Sequence, residues 1–300
     1  MTTRPFRHHP SFSRCPCLLH GFLALFLCFT ACQSPGVRET RISSTERAPA
    51  ILDDTLIMGQ MTQAASEAMD DASPTSMSQL IATLKTEPTA KVMLSKPTQS
   101  PLSEVQQSIA VVGGVYKCNR CTRWHVAPAS GFLIADDLLV TNYHVVNQPS
   151  HEALAVRLFD GRLFMVEEVV AASRENDLAV LRIPSTGLKP ISLGAAAPIG
   201  AQVDLISHPK QRFYTLSEGR VSRYFMRRQG DRRVPMMSIT ADFGRGSSGA
   251  PVLNTEGHVV GIATSTESVY YSEEDGQQKN LQMVFKHCIP VQQLRKLIGG

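Results

Sequence analysis

The sequence predicts an all-β protein built as a barrel or a sandwich, on three observations. From residue 105 onward, short runs rich in Val, Ile, Leu and Ala recur at regular spacing, broken by Gly, Asp, Asn and Pro, which is the pattern of strands and turns. Apolar residues make up 43% of the 300-residue chain and charged residues 19%, a balance that fits a globular, secreted-type protein rather than a disordered chain. After the last strand-like run, Val291 to Leu297 reads as one short C-terminal helix.

The N-terminus reads as an export signal over residues 1–31. Arg4, Arg7 and Arg14 precede a mostly apolar run, Leu18 to Ala31, too short to span a bilayer comfortably but suited to a signal-peptide core. The run ends in Phe29-Thr-Ala-Cys32, which resembles a bacterial lipobox although Phe29 stands where Leu is usual. Lipidation of Cys32 is the expectation, with plain secretion as the alternative, and an envelope location, outer-membrane and periplasm-facing, follows. The formal net charge is +4, and +1 without the three signal arginines, so charge argues for no attraction to nucleic acid.

Residues 32–104 change composition toward Pro, Ser, Thr, Ala, Gln and Met, with Trp, Tyr and Phe absent. Thr62 to Met69 and Ser78 to Lys85 have the makings of short helices, but nothing in the stretch looks able to bury its own core. A flexible tether is expected, with a pro-segment or docking segment as the alternative. Residues 105–300 then carry the strands. Ser108 to Tyr116, Gly131 to Ile134, Leu138 to Thr141, Ala155 to Leu158, Arg162 to Val170 and Leu178 to Ile183 form a first half. Gln202 to Ile206, Thr215 to Tyr224, Val234 to Thr240, Pro251 to Leu253, Val259 to Thr264 and Met283 to Phe285 form a second.

Three motifs sit among these strands. Gly244-Arg-Gly-Ser-Ser-Gly-Ala-Pro251 puts two serines in a glycine-rich bend before Val252-Leu253. A serine that attacks a carbonyl needs an exposed hydroxyl with free backbone N–H groups beside it, and flanking glycines permit that backbone. Thr141-Asn-Tyr-His-Val-Val146 follows the apolar run Leu138 to Val140, and Asn176-Asp-Leu-Ala-Val-Leu-Arg-Ile183 sets an acid at the head of a strand. Each alone has an ordinary explanation as a packed histidine, a turn aspartate or a simple turn. Together they give the order His144, Asp177, Ser248.

These three motifs resemble those of trypsin-like serine proteases, most closely the HtrA (Deg)-like branch, over roughly residues 105 to 297. The resemblance implies two six-stranded antiparallel β-barrels of chymotrypsin type with the active site between them. It implies Ser248 as nucleophile, His144 as general base and acid, and Asp177 as the group that orients the imidazole. The N–H groups of Gly246 and Ser248 match the family's oxyanion hole. Ser247 departs from the pattern, standing where Asp or Asn is usual, which leaves the support of that loop open. The chain stops after Leu297-Ile-Gly-Gly300, so the PDZ domain common in this branch, and activation through it, are not expected.

The same resemblance walls the specificity pocket with Asp242 to Gly244 and with Ile262, Ala263 and Thr264. Asp242, six residues before Ser248, occupies the position of the pocket-floor acid that selects Arg or Lys; the alternative is a turn or salt-bridge aspartate, and small or medium apolar substrate residues are the default. Cys118-Asn-Arg-Cys121 reads first as a local disulfide in an exported protein, then as reduced thiols or a metal clip with His125 and Cys288, then as a redox pair. Arg220, Arg223, Arg227, Arg228, Arg232 and Arg233 flank a hairpin tip, expected as a solvated edge rather than a site for anionic ligands. No cofactor or metal is required by this reading, whose partners are protein or peptide substrates and a membrane reached through the N-terminal lipid. A catalytically silent binding module and a zymogen-like enzyme that needs an activator are the competing functions.

Overall fold

The computed structural model describes residues 51–299 apart from Ala72 and Gly230. The expected export signal, Cys32 and the start of the expected tether lie outside the described residues. Among the described residues no helix is long and apolar enough to cross a membrane.

Among the described residues thirteen strands form two antiparallel sheets. The first is seven-stranded, in the order β5-β4-β1-β2-β3-β7-β6. Its members are β1 (Ile109–Lys117), β2 (Trp124–Leu133), β3 (Leu138–Thr141), β4 (Ala153–Leu158), β5 (Leu163–Met165), β6 (Glu168–Ser173) and β7 (Leu178–Arg182). The second closes as a six-stranded barrel, β10-β13-β12-β11-β8-β9. It is built from β8 (Gln202–Ser207), β9 (Thr215–Gln229), β10 (Arg232–Ile239), β11 (Pro251–Leu253), β12 (Val259–Glu274) and β13 (Gln277–Pro290). This is the two-sheet, chymotrypsin-like arrangement expected from the motifs. The first sheet has seven strands rather than six because the run Arg162 to Val170 breaks at Val166-Glu167 into two strands, each bonded to a different neighbour.

β1 explains why the first sheet shows no polar alternation. Ile109, Val111 and Val115 join one buried cluster, while Ala110 and Val112 join another. Successive strand residues point to opposite faces, so both faces of β1 are covered and both must be apolar. One cover is supplied by helix α1 (Asp54–Asp71), whose Ile57, Met61 and Ala65 pack into the first cluster. The other includes α2 (Met77–Lys85), whose Met77, Leu80, Ile81 and Leu84 fill the second. A capping box between Ser76 and Gln79 starts α2.

The stretch expected as a tether is therefore docked from Asp54 onward. Its apolar residues recur every four positions in α1, one stripe of a helix, and find their core on the sheet rather than among themselves. Methionine does much of the filling, so the lack of aromatic residues did not mean a lack of packing. Beyond α2 the chain stays attached: Pro88 O accepts from Ala172 N at 2.8 Å, Val92 N donates to Ile298 O at 3.0 Å and Ser100 N to Glu256 O at 3.1 Å. A helical turn, α3 (Leu102–Val105), leads into β1.

Other strand ends also move. β2 starts at Trp124, earlier than expected, because its pairing with β1 runs through Pro128 opposite Gly113. The β12–β13 ladder continues far beyond the barrel as an exposed ribbon closed by Asp275-Gly276, both at positive φ. The chain ends in the expected helix, here α5 (Val291–Leu297); the helical turn after β3 is α4 (Tyr143–Val146).

Candidate active site

His144 sits on α4. Its backbone N–H donates to Asp177 Oδ1 at 3.0 Å, and its Nδ1 lies 2.9 Å from Asp177 Oδ2. A carboxylate only accepts, so Nδ1 carries the hydrogen and Nε2 is left with a lone pair. Asp177 heads β7 in a left-handed backbone conformation, φ +53°, which Asp tolerates better than most side chains. Its carbonyl accepts from Asn142 Nδ2 at 2.9 Å, and its Oδ2 accepts from Thr264 Oγ1 at 2.5 Å. The carboxylate is thus fixed from both sheets. The imidazole is about half exposed, at 48%, against 15% for the Asp177 side chain.

Ser248 lies in the bend before β11. Gly246 and Gly249 flank it at φ +101° and +89°, and a Cβ there would stand 2.4 Å from His208 O and 2.2 Å from Ser130 O respectively. Only glycine fits either place. The loop is tied to β2 by Ser130 N donating to Ser248 O at 2.9 Å and Ser130 Oγ to Gly246 O at 2.9 Å. Ser247 is fully buried and its hydroxyl donates to Ser207 Oγ at 2.9 Å. That contact answers the open question of loop support: a buried serine pair stands where the related pattern has an acid. Among the described residues the N–H groups of Gly246 and Ser248 have no acceptor, so both are available to a developing oxyanion. The Ser248 hydroxyl points to Thr264 O at 3.4 Å, a long contact.

Residues 129–262 match the family model described as "Trypsin-like peptidase domain". Over those residues the chain is similar to trypsin-like peptidases. The "Probable periplasmic serine endoprotease DegP-like" of Hahella chejuensis is 32% identical over 136 residues, 44% of this chain and 28% of that protein. The mitochondrial serine protease HTRA2 of Drosophila pseudoobscura is 32% identical over 142 residues, 44% of this chain and 33% of its own length. The anti-sigma-I factor RsgI9 of Acetivibrio thermocellus is 28% identical over 142 residues, covering 19% of that protein. The chain thus spans about a third or less of the relatives it matches.

Beneath the serine loop lies His208, completely buried. Its Nδ1 accepts from Tyr214 N at 3.0 Å and its Nε2 lies 3.1 Å from Ala110 O, which assigns the hydrogen to Nε2. Burial pushes this imidazole down to about 4, so it is neutral at physiological pH. Nothing in Ser207-His-Pro209 distinguished it in sequence from an ordinary strand end.

The specificity wall departs from expectation. The Asp242 side chain is 88% exposed and pairs with Lys286 Nζ at 2.8 Å, not with Arg245. Lys286 is only 14% exposed and also donates to Phe243 O at 2.5 Å. Ile262 and Ala263 are core residues, fully buried. Of the four, Thr264 is the one that reaches the site, and it does so by holding Asp177.

The remaining features lie apart. Cys118, Cys121 and Cys288 are free thiols. Cys288 packs in the core of the six-stranded barrel, where burial pushes its thiol up, so it cannot join the Cys118–Cys121 pair. The arginine run does form a hairpin, β9–β10. Arg220 donates to Gly200 O, Arg232 pairs with Glu175 at 2.8 Å, and Arg223 stacks on Phe225.

Proposed function

We propose that this chain is a serine endopeptidase in which Ser248 attacks the scissile carbonyl. His144 Nε2 takes the hydroxyl proton and returns it to the leaving amine, while Asp177 holds the imidazole tautomer and stabilises the imidazolium. The N–H groups of Gly246 and Ser248 receive the oxyanion. One observation carries this reading. Asp177 grips His144 through both its backbone N–H and Nδ1, which leaves Nε2 with the lone pair, and among the described residues the N–H groups of Gly246 and Ser248 have no acceptor.

The substrate class is inferred from the surroundings of Asp242. An acid that selects Arg or Lys must be unpaired, and Asp242 is neutralised by Lys286. Cleavage after small or medium apolar residues is the better fit. We read the protein further as exported and lipid-anchored at Cys32, acting on misfolded or specific envelope proteins; the DegP-like relatives are named as periplasmic. Digestion of an unfolded protein and a peptide library by wild type and Ser248→Ala tests both parts. Activity should vanish in the variant, and cut sites should lack a preference for Arg or Lys. An Arg/Lys preference that Asp242→Ala abolishes would reverse the specificity reading.

A second reading has its own support. The Ser248 hydroxyl is engaged with Thr264 O, at a long 3.4 Å, as in an enzyme that waits for an activator. Resting active sites also have long hydrogen bonds that tighten with substrate. Low basal turnover that rises on adding an envelope extract would favour the zymogen-like form. No turnover and no serine labelling under any condition would favour a binding module.

A further inference from the structure

The turn between β1 and β2 gathers three soft ligands well outside the serine site. The strand ladder closes at Lys117 opposite Trp124, so Cys118 follows directly after β1 and His125 is the second residue of β2. Cys118 Sγ and Cys121 Sγ lie 3.3 Å apart, and Cys121 Sγ lies 3.0 Å from His125 Nε2. All three donor atoms fall within 4.8 Å of one another. The Tyr116 ring, 5.5 Å from that of His125, supports the imidazole from the paired strand. A tetrahedral zinc ion, with bonds of roughly 2.3 Å to sulfur and 2.0–2.1 Å to nitrogen, sets its sulfurs about 3.8 Å apart and sulfur to nitrogen about 3.5 Å. Each observed edge is about half an ångström shorter, a difference that side-chain rotation on a turn can absorb.

We propose that Cys118, Cys121 and His125 bind a zinc ion, with a fourth position left to water or an outside ligand. Two thiolates and a neutral imidazole suit a borderline-soft ion and not magnesium or calcium, which take oxygen. Binding deprotonates both thiols and releases two protons, so the ion's charge is matched by the ligands. Lys117, Arg120 and Arg123 add positive charge around the turn.

The ion would set one wall of a large groove. Lys117, Thr122, Arg123 and Trp124 line a cavity of about 1110 Å³ whose opposite wall is α1. Trp124 Nε1 donates to Asp70 Oδ1 on that helix at 3.2 Å. A second, smaller cavity shares Lys210 and Gln211 with it and reaches Gly246.

The full chain, purified without chelator, should carry one zinc per chain by native mass spectrometry. After reduction and metal removal, cobalt(II) should restore a thiolate-to-cobalt charge-transfer band and quench Trp124, the single tryptophan. Cys121→Ser and His125→Asn should each weaken cobalt binding at least about 100-fold, while Cys288→Ser, in the other barrel, should not. The His125 variant is decisive, because it leaves the thiol pair and the fold intact. Cobalt binding that ignores His125→Asn, or a Cys118–Cys121 disulfide in the protein as purified, overturns the site.

Discussion

Thr264 Oγ1 donates to Asp177 Oδ2 at 2.5 Å, across the boundary between the two sheets. The same residue's carbonyl accepts from Ser248 Oγ at 3.4 Å. One residue of β12 thus touches both the acid that orients His144 and the serine that would attack. The resemblance implies Thr264 as part of the specificity wall; in the structure its hydroxyl holds the Asp177 carboxylate.

That role is measurable. A hydrogen bond to a charged group contributes about 1.5–3 kcal/mol, so Thr264→Val should lower kcat roughly 10- to 100-fold with little change in KM. Thr264→Ser, which keeps the hydroxyl, should restore most of it. Steady-state kinetics on both variants decides the matter: full activity in Thr264→Val with a loss in Thr264→Ser would mean that the methyl group, not the hydroxyl, matters.

His208 makes stability depend on pH. Its folded value, about 4, lies below the ordinary 6.5, so between these pH values the unfolded chain binds a proton that the folded one does not. Stability therefore falls as pH drops from 6.5 toward 4 and levels off below that. The loss between pH 7 and pH 5 should be about 2 kcal/mol from this group. Urea unfolding at the two pH values should show that difference in wild type and a smaller one in His208→Gln.

Helix α1 should behave as part of the domain. Met61 is 1% exposed against β1, and Met61→Ala should destabilise by about 2–5 kcal/mol. Gln60→Ala, on the exposed face of the same helix, should stay within about 0.5 kcal/mol. Thermal or urea unfolding of the two variants measures this directly. Equal, negligible effects would restore the picture of a tether.

Much of this was legible in the residues, and the reasons are specific. Leu138 to Thr141 and Pro251 to Leu253 appear with the expected bounds, because an apolar run ends at polar or glycine-rich punctuation on each side. His144 and Asp177 stand within hydrogen-bonding distance, as their motifs implied, since each motif fixes a side chain at a strand end. What could not be read were contacts between segments distant in sequence. Lys286 lies 44 residues after Asp242, and no local pattern tells that its ammonium will neutralise that acid. Ser207 and His208 support the serine loop from another strand. The docking of Ile57, Met61 and Ala65 depends on a sheet face that only the assembled strands create.

The central claim is that Ser248 is a nucleophile activated by His144. A fluorophosphonate probe, with the modified peptide located by mass spectrometry, tests it most directly. Wild type and Ser247→Ala should be labelled on Ser248, Ser248→Ala should not be labelled, and His144→Ala should react at least about 1000-fold more slowly. Labelling that persists in Ser248→Ala, or folded wild-type protein that stays unlabelled with and without an envelope extract, would contradict it.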